Sequence, residues 1–187
     1  MSAPFWSGWS STCVYFDTSA LVKRYVTEPG TAEVDAILQP GGPTAVASWV
    51  TVVEVVSTLK RKEAIEGAIS AAELRHSVRL LVAEVALGTS AGRWVPCNIG
   101  PRTTERARVL LEQTYMTPAD ALHIATAIRL QEQNTVPLVF VTADEHLAAV
   151  ARGQQIYTFD PLKPSDPGVA GVPGKFRTSG IPTYQDP

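Results

Sequence analysis

The chain has 187 residues and a net charge of −2, which suits one domain with a real core and argues against a broad basic footprint for nucleic acid, leaving room only for a local groove. No apolar run approaches the ~18 residues of a membrane span, and MSAPFWSGWSST holds no Lys or Arg ahead of an apolar stretch, so neither a span nor a secretory signal is expected and a cytoplasmic location is. Cys13 and Cys97 have a spacing that suits neither a metal site nor a disulfide framework, and two buried thiols are expected.

In chain order, residues 1–12 lack periodicity and read as an N-terminal arm, in which Trp6 and Trp9 could dock on the body. CVYFD at 13–17 is a short apolar strand. Two short helices are expected at 19–27 and 30–38, split by Pro29-Gly30. TAVAS at 44–48 is a second buried strand. Longer helices are expected at 49–66 and 70–87, stopped by Gly67 and Gly88. The first carries the stripe Val52, Val56, Leu59 and the second Leu74, Val78, Leu81, Val85. RWVPC at 93–97 reads as an edge strand because Pro96 cannot donate to a ladder. Helices follow at 101–115 and 118–134, then a strand at 138–142, a short helix at 143–151 and a last strand near 155–159. Strands that alternate with helices and are apolar throughout predict a parallel sheet covered on both faces. Residues 161–187 are rich in Pro and Gly and read as a tail.

Four acids stand at strand-to-helix junctions or just inside helix starts: Asp17, Glu54, Asp120 and Asp144. Each has a capping explanation. Thr51 to Glu54 and Thr117 to Asp120 have capping-box spacing, Thr142 to Glu145 offers another box, and Thr18 or Ser19 could cap the helix after Asp17. Taken together, they say more. Glu54 is bracketed by Val52, Val53, Val55 and Val56, and Asp17 and Asp144 follow core strands. The C-terminal strand ends of a parallel α/β sheet form its ligand crevice. Carboxylates gathered there repel by roughly 4 kcal/mol per close pair at an effective dielectric of 20, which protonation or a cation relieves. Oxygen-only donors suit Mg²⁺ or Mn²⁺. A cation so held can orient a water, lower its pKa and stabilise a phosphodiester in flight. His123, one turn after Asp120, is expected to pack or bond on its helix face, and Ser19 and Thr142 supply hydroxyls beside the acids.

The segments FDTSALVKRYVTEPGT, EVVSTLKRK, DALHIATA and VTADEHLAAVA, in that order, resemble those of the PIN-domain ribonucleases, and most closely the VapC-type toxins of toxin–antitoxin pairs. The resemblance covers residues 13–160. It implies a three-layer α/β fold with a parallel sheet ordered 3-2-1-4-5 and helices on both faces. It implies Asp17 and Asp120 as principal metal ligands, with Glu54 and Asp144 completing a catalytic acidic pocket. The implied reaction is Mg²⁺-dependent endonucleolytic cleavage of RNA. The implied partners are a small antitoxin and a second copy of the chain in a homodimer.

RNA contact needs cations near the acids, and Lys23 with Arg24, the run Lys60-Arg61-Lys62 and Arg102 are the candidates, with Lys60 taken for its run, although basic residues at helix C-termini are commonly solvated. One alternative is a non-catalytic PIN-like binding module. Another is a phosphoaspartate-type phosphoryl-transfer domain, which wants a Lys near a late strand, whereas no Lys falls between Lys62 and Lys163.

Overall fold

The computed structural model describes residues 12–87, 94–133 and 137–164. The expected arm and tail fall outside the described residues except for Thr12, which is buried, and 161–164. Gly88 also falls outside them.

Five strands form one parallel sheet: β1 (Cys13–Phe16), β2 (Thr44–Ser48), β3 (Val95–Cys97), β4 (Leu138–Val141) and β5 (Tyr157–Phe159). Their order is β3-β2-β1-β4-β5, as the resemblance implied. Val14 pairs with Ala45 on one side and Val139 on the other, so β1 is central. Strand β3 lies at an edge, where Pro96 sacrifices no inner ladder bond.

Side chains alternate across a strand, and here both faces are buried. Val14, Phe16, Ala45, Ala47, Val139 and Val141 face one core. That core is covered by α1 (Thr18–Leu21), its 3-10 continuation Val22–Arg24, α2 (Thr31–Ile37), α3 (Trp49–Ala64) and α4 (Ala71–Leu87). Cys13, Tyr15, Val46, Leu138 and Phe140 face the other, under α5 (Pro101–Gln113), α6 (Pro118–Gln133) and α7 (Glu145–Gly153). Two-sided burial explains why the strands read as unbroken apolar runs. Cys13 and Cys97 are free and buried, and burial pushes both thiols up to about 12.

Three local expectations change. The helix expected over 19–27 is short, because the α-helix passes into a 3-10 turn that ends at Arg24. The buried stripe of α3 is Thr51, Val55 and Leu59, with Val56 and Val53 turned outward at 37% and 70% exposure. Helix α3 begins with a capping box between Ser48 and Thr51, so Thr51 is not the cap and Glu54 lies beyond the first turn, free for other work.

Candidate active site

The C-terminal ends of β1 and β4 meet at the middle of the sheet, and the chain turns into a helix immediately after each. Asp17 follows β1 and is the N-cap of α1, accepting from the Ser19 amide. Asp144 follows β4 and caps α7, its Oδ1 accepting from the Leu147 amide at 2.9 Å. The cap is therefore Asp144 itself, not Thr142 with Glu145 as partner. Asp120 sits in the first turn of α6. It exchanges bonds with Thr117: its amide donates to Thr117 Oγ1 at 3.2 Å, and its Oδ2 accepts from the Thr117 amide at 3.3 Å. Glu54 projects from the second turn of α3 and is half-buried.

All four acids line one cleft of about 290 Å³, together with Thr18, Ser19, Lys23, Glu28, Thr58, Arg61, Lys62 and His123 among others. The fold has thus gathered residues more than a hundred positions apart in sequence. Their environments differ. Asp17 is buried, and burial raises its pKa above the ordinary carboxylate value against the opposing pull of His123, Thr142 and Ser19. Its Oδ2 accepts from Ser19 Oγ at 3.0 Å and from Thr142 Oγ1. The same hydroxyls accept from the next loop: the Ala143 amide donates to Ser19 Oγ at 2.8 Å and the Asp144 amide to Thr142 Oγ1 at 3.0 Å. Ser19 and Thr142 therefore lock Asp17 to the loop that presents Asp144.

Burial works against the Glu54 charge, but bonds from His123 and Thr18 outweigh it and hold its pKa below the usual value. Glu54 Oε2 lies 2.7 Å from His123 Nε2 and accepts from Thr18 Oγ1 at 2.7 Å. His123 Nδ1 lies 2.9 Å from the Tyr15 hydroxyl. An ionised carboxylate only accepts, so in the singly protonated ring Nε2 carries the proton and Tyr15 donates to Nδ1. Tyr15 is in turn stacked on Phe140 in the core. A chain of bonds from the middle of the sheet thus aims Glu54 into the cleft. His123 bonds on its helix face as expected, with both nitrogens engaged.

No group of three or more His, Cys, Asp or Glu side chains among the described residues is drawn together tightly enough to form a ready metal cage. The donor set fits a cation that keeps much of its water. Five carboxylates, Glu28 among them, line one cleft without a Cys, and Mg²⁺ is commonly held through one or two carboxylates plus waters.

The basic candidates separate. Lys23 lines the cleft. Arg24 turns away to Asp35 and Glu84, Lys60 pairs with Glu63 at 2.6 Å on the surface, and Arg102 is exposed at the start of α5, outside the cleft lining. Arg61 and Lys62 line the cleft instead of Lys60. The signal for this was in the sequence: 58, 61 and 62 follow Glu54 by four, seven and eight residues, which is one helix face, whereas 60 lies off it. Glu28 and Thr18 also stand in the cleft wall, where no local spacing rule points to them.

An acid-lined cleft at the strand ends of a parallel sheet ordered 3-2-1-4-5 defines a class of acidic-site α/β proteins. A model of the PIN domain matches residues 14–153, and the chain belongs to the PIN domain family. The fold is also that of solved toxin–antitoxin proteins. A toxin–antitoxin complex from Klebsiella pneumoniae aligns at 20% identity and a TM-score of 0.53, over 79% of this chain and 97% of that one. VapBC2 from Rickettsia felis, solved with a DNA fragment from its promoter, aligns at 12% and 0.53 over 80% and 98%. The Mycobacterium tuberculosis toxin VapC20, described as cleaving the Sarcin-Ricin loop, aligns at 14% and 0.52 over 73% and 94%. No curated protein sequence matches the chain.

Proposed function

We propose that this protein is the toxin of a type II toxin–antitoxin pair and acts as a divalent-metal-dependent endoribonuclease in the cytoplasm. The observation that carries this is the convergence of Asp17, Glu54, Asp120 and Asp144 on one cleft that also has a lysine and arginine wall. Asp17 and Asp120 are the residues to hold Mg²⁺ or Mn²⁺, and Glu54 and Asp144 complete the site directly or through water. When bound, such a cation supplies positive charge to a phosphoryl group and acidifies water. The chain's own part is positioning: Ser19 and Thr142 orient Asp17, and His123 with Thr18 orients Glu54. Catalysis by pre-set groups of this kind loses much of its rate when one is misplaced.

Two proteins are the proposed partners, a small antitoxin and a second copy of the chain. Support comes from the family and from an apolar row on α3 that the fold leaves uncovered: Trp49, Val53 and Val56, which lie on one side of the helix and are 44%, 70% and 37% exposed.

Antitoxin-free protein incubated with RNA and Mg²⁺ should cleave it, EDTA should stop the reaction, and Asp17→Asn or Asp120→Asn should each lower the rate by about 10²-fold or more. Cleavage that survives EDTA, or both substitutions, rules the proposal out. Binding of RNA without cleavage under every divalent metal tried would favour a non-catalytic PIN-like module.

A further inference from the structure

The same cleft holds a second charged group. Lys23 Nζ donates to Glu28 Oε1 at 2.8 Å, and Lys62 Nζ donates to Glu28 Oε2 at 2.6 Å. One carboxylate is thus clasped between two ammonium groups. The three side chains are only 8%, 15% and 18% exposed. Burial opposes the Glu28 charge, but the two lysines outweigh it and keep its pKa below the ordinary value. The loop that carries Glu28 is tightly built: Thr31 Oγ1 accepts from its amide at 3.0 Å and donates to the Lys23 carbonyl at 3.0 Å. Gly30, at φ +89°, lets Pro161 lie over this loop, since a Cβ there would meet Lys23 Cδ at 3.0 Å and the Pro161 carbonyl oxygen at 3.1 Å.

Within the clasp two ammonium groups face one carboxylate, although the cleft as a whole is lined by five carboxylates and three cations. Arg24, the next residue after Lys23, has two carboxylates, Asp35 and Glu84. Lys23 and Lys62 share one among the described residues, whereas Arg61, which borders the same cleft, pairs with Glu66 at 3.1 Å. Partly desolvated cations in excess of their counter-charge suit an incoming anion. A carboxylate offers two oxygens from one centre, and so does a phosphodiester through its non-bridging oxygens. Glu28 therefore occupies a seat of phosphate shape in the same cleft as the acids.

We propose that Lys23 and Lys62 form a subsite for a backbone phosphate of RNA beside the one that is cleaved, and that Glu28 is the resident anion this phosphate displaces. The subsite rests on the ribonuclease reading but is tested apart from it. Binding of a short mixed-sequence single-stranded RNA to the full chain is followed by fluorescence anisotropy in EDTA across a salt series. Lys62→Met should weaken binding about fivefold and reduce the slope of log K against log salt by about 0.7, the loss of one phosphate contact. Glu28→Gln keeps the shape but removes the competing charge, and should tighten binding about threefold. Lys60→Met, on the other side of the helix, should bind as the wild type does. Thermal melts check that each variant is folded, and Lys23→Met serves in place of Lys62→Met should the latter unfold. Equal binding by all variants overturns the subsite, and so does weaker binding by Glu28→Gln, which would make Glu28 a strut for the lysines. If wild-type protein cleaves RNA with Mg²⁺ while the variants bind alike, only the subsite fails. If it cleaves no RNA, the ribonuclease reading itself fails.

Discussion

Asp17 is where the proposed function and stability oppose each other. The residue is buried, its hydroxyl partners Ser19 and Thr142 come from both flanking junctions, and its pKa is raised by burial. The folded chain therefore holds this proton more tightly than the unfolded chain does. Stability falls as pH rises from the ordinary carboxylate value through the raised folded one, where the buried group must ionise. In EDTA at pH 7, Asp17→Asn should melt about 2–4 °C higher than wild type, and the gap should close below about pH 4. Adding Mg²⁺ should raise the wild-type melting temperature but not that of the variant. A variant less stable than wild type at neutral pH would show that the hydrogen bonds to Asp17 outweigh its buried charge. At this scale the sequence was informative about which residues matter and less so about how. Local spacing made Thr51 and Thr142 look like caps, yet Ser48 and Asp144 take those places, because α3 begins directly at the end of β2 and α7 only at Glu145.

The elements are held in place by polar clasps as well as by apolar burial. Glu84 of α4 is 5% exposed and meets three donors: Arg24 Nη2 at 2.9 Å, the Tyr25 hydroxyl at 2.8 Å and Trp94 Nε1 at 3.3 Å. These partners come from the turn after α1 and from the start of β3, so one carboxylate ties α4 to both. Ser77 of α4 adds a bond to the Tyr25 carbonyl at 2.6 Å. Glu84→Ala should cost about 3 kcal/mol, since it leaves the buried Tyr25 hydroxyl without its acceptor and removes one of the two carboxylates on Arg24, while Trp94 Nε1 keeps its 3.0 Å bond to the Tyr25 hydroxyl. Urea denaturation would measure it, and a loss under about 1 kcal/mol would mean that Arg24 and Asp35 suffice alone. Nothing in the sequence announced this clasp. Ser77 and Glu84 sit on the buried side of α4 beside Leu81, where a hydrophobic pattern expects Leu74, Val78, Leu81 and Val85. Polar residues inside a core are legible only through their partners, and these partners are distant in sequence.

At the scale of the molecule, a net charge of −2 conceals a cleft lined by acids together with Lys23, Arg61 and Lys62. On the proposed reading, affinity for RNA comes from a few local cations, not from a general basic field. The uncovered row on α3 acts at the same scale. Light scattering of the purified chain should show a dimer, and Val53→Glu should yield a monomer with a melting temperature within a few degrees of wild type, because Val53 is 70% exposed in the single chain. A monomeric wild type would remove the homodimer from the proposal. No helix among the described residues is long and apolar enough to cross a membrane.

By itself the sequence determined the element order, the two-sided burial of the sheet and the four acids, since apolar runs, helix periods and charges at strand ends are local signals. It also set the family, through four ordered segments that each carry one of these four acids. Only the tertiary structure decided which cations share the cleft, which hydroxyls hold Asp17 and which ring steadies Glu54. Those are contacts between side chains dozens of residues apart. Their geometry depends on how far each helix is rotated against the sheet, and packing of the whole core sets that rotation.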